Sequence, residues 1–108
     1  MFWGKHFWLS IHMIALGYPF KPSLEDTKNY TAFFENLYHV IPCTICSREY
    51  KEYINEHPLT TSQIKDTESL FKWTVDIHNM VNKKLNKPHM SHDVAWNFYT
   101  NPESFIHF

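Results

Sequence analysis

Residues 67–88 read "TESLFKWTVDIHNMVNKKLNKP", and the spacing of their apolar side chains decides the fold class. Leu70, Trp73, Ile77 and Val81 recur at three- and four-residue intervals, with Leu85 completing the stripe. That is the period of one face of an α-helix, not the alternation of a strand. Asp66 or Thr67 is placed to cap the start. Asn86-Lys87-Pro88 stops the helix, because proline lacks the amide hydrogen and restricts the residue before it.

The same period extends outward in both directions. From Trp3 to Leu16 apolar residues recur at Phe7, Ile11 and Ile14, and Gly17 and Pro19 end the segment. Pro22-Ser23 opens a second helix, with Ser23 and Asp26 forming a capping-box variant. Its buried stripe is expected to be Tyr30, Phe33, Phe34, Leu37 and Ile41. Pro42 breaks it, and a third helix is expected from about Cys43 to Asn55. "NEHPLTTS" reads as a loop, Ser91 to Phe98 as a short last helix, and the tail "TNPESFIHF" shows no pattern. Two glycines in 108 residues argue against an all-β chain rich in tight turns. The expectation is one all-α domain over residues 1–108: a four-helix bundle with a short fifth helix.

Composition narrows the function. Rings make up 18% of the chain, enough to call for a ring-rich core, a self-association surface or a flat aromatic ligand. The formal charge is −1, and apart from Lys83-Lys84-x-x-Lys87 the basic residues are scattered. A general nucleic-acid binder would be more basic and more clustered. The first twenty residues carry Lys5, His6 and His12 and no small-x-small cleavage pattern. They are expected to form a folded helix, neither a signal peptide nor a membrane span.

"VIPCTIC", Val40 to Cys46, holds both cysteines of the chain. Near a helix start, residues three apart share a face, so the two sulfurs can reach disulfide distance. The peptide dipoles there favour a thiolate on the first cysteine. A zinc site would need two further ligands. His89-x-x-His92 is the nearest pair, but its gap is tighter than usual and the ββα context is missing. A thioredoxin-type site would need a preceding strand where "FFENLYHV" is helical in pattern. Two inert core cysteines remain possible on spacing alone.

A second cluster lies in residues 73–88, where Trp73, His78, Asn79, Asn82, Lys84 and Lys87 fall close together. His78 and Asn82 are neighbours on the helix surface, as are Asn79 and Asn82. A solvated face would account for the lysines. A ligand with flat rings, hydroxyls and phosphates would use every residue type present. The first helix repeats the mixture with Trp8 and His12 one turn apart and Lys5 one turn earlier.

Taken together, "WGKHFWLSIH", "PCTIC" and "W…HNMVNKKLNKP" followed by Trp96 resemble the Erv/ALR family of FAD-linked sulfhydryl oxidases, most of all its short members from large cytoplasmic DNA viruses. The resemblance runs over nearly the whole chain. It implies FAD held at the mouth of the helical bundle, Cys46 as the sulfur next to the flavin and Cys43 as the outer sulfur that meets substrate. It also implies cofactor contacts from Gly4, Lys5, Trp8, His12, Trp73, His78, Asn79, Val81, Asn82, Lys84, Leu85, Lys87 and Trp96, with no metal. A homodimer, a thiol protein as substrate (a thioredoxin-like one being the family-based expectation), and oxygen as the acceptor follow by the same likeness. So does residence in the cytoplasm of an infected host cell or in the virion. Two departures stand out. Ile54 and Val75 fall where cellular relatives have a structural disulfide, and the chain carries no second, shuttle cysteine pair. A zinc-stabilised interaction module and an FAD-free dimeric scaffold are the alternatives from other classes.

Overall fold

The computed structural model describes residues 3–101 and 103. The chain forms α1 (Trp3–Leu16), α2 (Leu24–Asn36), a 3₁₀ turn (Leu37–Val40), α3 (Thr44–Glu56), α4 (Thr67–Lys84) and α5 (His92–Thr100). No strand occurs among the described residues, so the all-α reading holds. The tail beyond Asn101 lies outside the described residues except for Glu103, and His107 with it.

Each start is fixed by a side chain that satisfies amides the helix leaves unpaired. Ser23 and Asp26 form the reciprocal capping box on α2. Asp66, not Thr67, caps α4 through Ser69, and Ser91 caps α5 through Val94. After α4, Asn86 takes φ 55°, a left-handed conformation that asparagine tolerates and that turns the chain back toward α5.

α1 packs chiefly along α4, while α3 and α5 flank α4. The core is built from Ile11, Ala15, Tyr18, Phe34, Leu37, Tyr50, Ile54, Leu70, Phe71, Trp73, Val75, Ile77 and Ala95. Four expected core positions differ. Phe33 is exposed and Tyr30 half-buried, while Phe34, Leu37 and Ile41 of the same expected stripe are buried. Ile14 is exposed, since α1 meets α4 through Ile11, His12 and Ala15. Leu85 points outward, since the helix ends at Lys84 and Leu85 caps it through its backbone.

Ile54 and Val75 are both buried in this core. Packing therefore stands at the two positions where the family resemblance implied a replaced disulfide. Ile54→Ala is expected to cost about 3 kcal/mol of unfolding free energy through lost burial and the cavity left behind. Urea denaturation at constant pH measures it, and a change under about 0.5 kcal/mol would mean that the site is not close-packed.

Candidate active site

Cys43 is the N-cap of α3, with extended backbone, and its Sγ accepts the Cys46 N–H at 3.3 Å. Proline at 42 permits this placement by ending the preceding turn. The two sulfurs then diverge in environment. The Cys46 thiol and N–H hold Cys43 below the ordinary thiol range. Burial, then the hydrogen bond and charge of Cys43, push Cys46 up to about 11. Of the two thiols Cys43, at the helix tip, is therefore the one that gives up its proton more readily, as the sequence led us to expect.

Cys46 faces a cleft of about 120 Å³ between α1, α3 and α4, lined by Phe7, Trp8, Ile41, Cys46, Glu49, Tyr50 and Val81. Of the residues singled out in the sequence, it gathers Trp8, Cys46 and Val81. The Trp8 indole lies parallel to the His78 ring at 4.2 Å and edge-on to Phe7. His78 continues the row: its Nδ1 is 2.9 Å from His12 Nε2, and His12 Nδ1 is 2.9 Å from Thr74 Oγ1.

The proton positions along this row follow from its last member. Thr74 Oγ1 donates to the Phe71 carbonyl at 2.6 Å, so it must accept from His12 Nδ1–H. His12 Nε2 then accepts from His78 Nδ1–H, leaving the lone pair of His78 on Nε2. Both rings are neutral. Burial, then the neighbouring His78, lowers His12 to about 3; burial, then the Lys87 ammonium, lowers His78 to about 4. The Lys87 effect also places a cation near the far end of the row. From Cys46 through Trp8 and His78 toward Lys87, the surface passes from apolar and aromatic to positively charged.

The remaining sequence-selected residues divide. Asn79 and Lys87 line a second, wider cleft of about 420 Å³ with Asp76, Met80, Lys83 and His89. The Asn79 amide is already engaged: it donates to the Met90 carbonyl at 2.8 Å and accepts the Met90 N–H at 2.9 Å, clasping the α4–α5 connection. Lys84 is ion-paired with Glu49 across α3 and α4. Trp73 is buried, its Nε1 donating to the His57 carbonyl at 2.8 Å and its ring meeting Phe34, so it belongs to the core. Trp96 packs edge-on against Phe71. Asn82 is half-buried, Lys5 and Leu85 are exposed, and Gly4 has open space where a Cβ would stand.

Sequence reading missed three features. Glu49 and Tyr50 line the cleft; Glu49, at three residues from Cys46 on one helix, was open to the same spacing argument. Asp76 bridges two histidines given no role, accepting from His92 Nε2 at 2.6 Å and lying 3.3 Å from His57 Nε2. That bridge turns His92 to a carboxylate, and no three His, Cys, Asp or Glu side chains converge on a metal position among the described residues.

Comparison with known proteins now decides the family. The model of the Erv1/Alr family matches residues 5–101. The chain belongs to the Erv1/Alr family. Among its curated relatives is the "Probable FAD-linked sulfhydryl oxidase" of Acanthamoeba polyphaga mimivirus, 40% identical over 93 residues, covering 86% of this chain and 65% of that protein. The FAD-linked sulfhydryl oxidase of an African swine fever virus isolate is 31% identical over 99 residues, covering 92% and 77%. The mitochondrial FAD-linked sulfhydryl oxidase of Saccharomyces cerevisiae is 33% identical over 85 residues, but this chain spans only 43% of it. The yeast Erv1 core superposes with a TM-score of 0.84 at 28% identity, covering 92% of this chain and 81% of that one. The FAD-binding domain of yeast Erv1 gives 0.78 at 31% identity, covering 87% and 86%. Within this family the helical bundle is the expected scaffold, and here it brings one cysteine to a cleft and leaves the other at a helix tip.

Proposed function

We propose that this Erv1/Alr chain acts as a single-domain, FAD-dependent thiol oxidase that forms disulfides in protein substrates through Cys43 and Cys46. The observation that carries the reading is the unequal pair: an outer sulfur at a helix tip, the easier of the two to ionise, and an inner sulfur in a ring-walled cleft. Names of the curated relatives support FAD as the cofactor.

The donor chemistry fits such a group. Trp8 and Val81 offer flat and apolar contact beside Cys46, with His78 stacked on Trp8, and Lys87 on the second cleft offers charge for phosphates. When bound, FAD would accept two electrons from the thiol pair and pass them to oxygen, so that two thiols and O₂ become a disulfide and H₂O₂.

The chain's own residues account for the exchange. In the oxidised pair, a substrate thiolate attacks Cys43 Sγ; a mixed disulfide forms, and the Cys43–Cys46 bond breaks with Cys46 leaving as thiolate. The second substrate thiolate then attacks the substrate's own sulfur in that mixed disulfide and releases Cys43 as thiolate. Two electrons now reside in the pair. Cys43 is suited to this exchange because the α3 amides stabilise it as a leaving group.

The place of Cys43 at the tip of α3 supports direct attack on it by the substrate protein, of which a thioredoxin-like protein is our proposed example. We further propose a homodimer, supported by exposed Met13, Phe20, Leu24 and Phe33, and action in the cytoplasm of an infected host cell or in the virion, supported by the viral relatives. Purified protein is expected to be yellow and to consume oxygen with a small dithiol, as read by its absorption spectrum and an oxygen electrode. A colourless folded protein that gains neither property on adding FAD would overturn the proposal.

A further inference from the structure

Glu49 has no place in the exchange just described, yet it stands on the wall of the Cys46 cleft. It lies three residues beyond Cys46 on α3, hence on the same helix face. Its side chain is only 19% exposed, and Lys84 of α4 holds it in an ion pair. The charged and titratable groups around it are Cys43, Cys46, Glu52 and Tyr53 from α3 and Lys84 from α4, with Tyr50 on the same cleft wall. α1 faces the cleft with Phe7 and Trp8, Lys5 standing one turn earlier.

We propose that Glu49 is a positioning residue for the cysteine pair: its carboxylate, beside Cys46, drives the single negative charge of the reduced pair onto Cys43, and Lys84 limits how strongly it does so. A like charge in a partly buried wall disfavours a nearby anion, and an adjacent cation offsets it. Cys46 is three residues from Glu49 and Cys43 is six, so the repulsion falls more heavily on Cys46. The same carboxylate raises both thiols, consistent with this arrangement. A proton alone is redistributed: the hydrogen stays on Cys46 Sγ, the free lone pair with its charge on Cys43 Sγ, and no bond between heavy atoms changes. The consequence is twofold. The outer sulfur remains the more readily ionised and so the better leaving group when the mixed disulfide is resolved, and the inner sulfur, once deprotonated, is the more basic and so the stronger nucleophile.

This rests on Cys43 and Cys46 being a working dithiol, and its test does not depend on turnover. The full chain, reduced, is alkylated with iodoacetamide from pH 5 to 11, and each cysteine is followed separately by mass spectrometry. In the wild type, Cys43 should react at a lower pH than Cys46. Glu49→Gln should speed Cys46 alkylation on the order of tenfold at fixed pH, with a smaller effect on Cys43. Glu49→Asp, which keeps the charge, should restore the resistance of Cys46. Lys84→Gln should act in the opposite direction and make Cys46 still less reactive. Unchanged Cys46 reactivity in Glu49→Gln, or equal acceleration of both cysteines, would overturn the proposal. A protein that shows these shifts but never oxidises a dithiol would sink the oxidase reading and leave the charge partition standing.

Discussion

Cys46→Ser is expected to give a folded, yellow protein whose oxygen consumption with a dithiol falls by at least about a thousandfold, the scale on which loss of a covalent catalyst is felt. The oxygen of serine nearly matches sulfur in shape but cannot form or break the disulfide. Cys46 is half-buried and its side chain makes no contact that α3 depends on: it is the Cys46 backbone amide that reaches Cys43. Folding and cofactor retention should therefore survive, while electrons from substrate have no route into the cleft. Oxygen-electrode rates, with the flavin spectrum recorded on the same sample, separate the two effects. Activity within a few-fold of wild type would remove Cys46 from the inner position.

Acid lability is the second large effect. His12 and His78 are lowered in the fold to about 3 and about 4 from an ordinary value of 6.5. A buried neutral histidine contributes stability that is fully present above the unfolded pKa and is lost as pH falls toward the folded one. Between about pH 6 and pH 4 the unfolded chain binds two more protons than the native one at these sites. Their contribution should fall by about 2.7 kcal/mol per pH unit, on the order of 5 kcal/mol over that window. Urea unfolding at pH 7, 6, 5 and 4.5 measures the slope. His78→Gln, with one titrating ring fewer, should reduce this slope by about half relative to wild type. An identical slope in the two proteins would show that His78 titrates alike in the folded and unfolded chain.

Both expectations depend on contacts between distant parts of the chain. The family likeness implies His12 as a ligand contact, whereas the residues taken alone favour a satisfied histidine beside Trp8. The structure makes it the buried end of a hydrogen-bonded row that holds His78 flat against Trp8. His12 thus bears on the cleft through the rings it orients. Asn79 shows the same shift, since its amide is closed on Met90. Trp73 lies on the helical stripe that was predicted to be buried, and burial is what it received. The family likeness also implied a cofactor contact for it; in this structure it is buried and does not line the Cys46 cleft.

The Asp76 bridge shows why some polar residues resist sequence reading. His57 ends α3, Asp76 lies mid-α4 and His92 starts α5. Nothing in their spacing along the chain says that they meet. They do so because α3 and α5 both dock against α4, so one carboxylate reaches an imidazole from each.

What the sequence by itself determined is what depends on near neighbours: the helices, their caps at Ser23, Asp66 and Ser91, and the cysteine at the tip of α3. Periodicity and capping act over three or four residues, so one line of text contains them. The family likeness already implied Cys46 as the inner sulfur; only the tertiary structure decided that Glu49 shares its cleft wall and that Lys84 answers that carboxylate from another helix. Those outcomes depend on how α1, α3 and α4 pack. Packing angles set which flank of each helix turns inward, so that Phe33 stands exposed beside buried Phe34, and no local pattern records that choice.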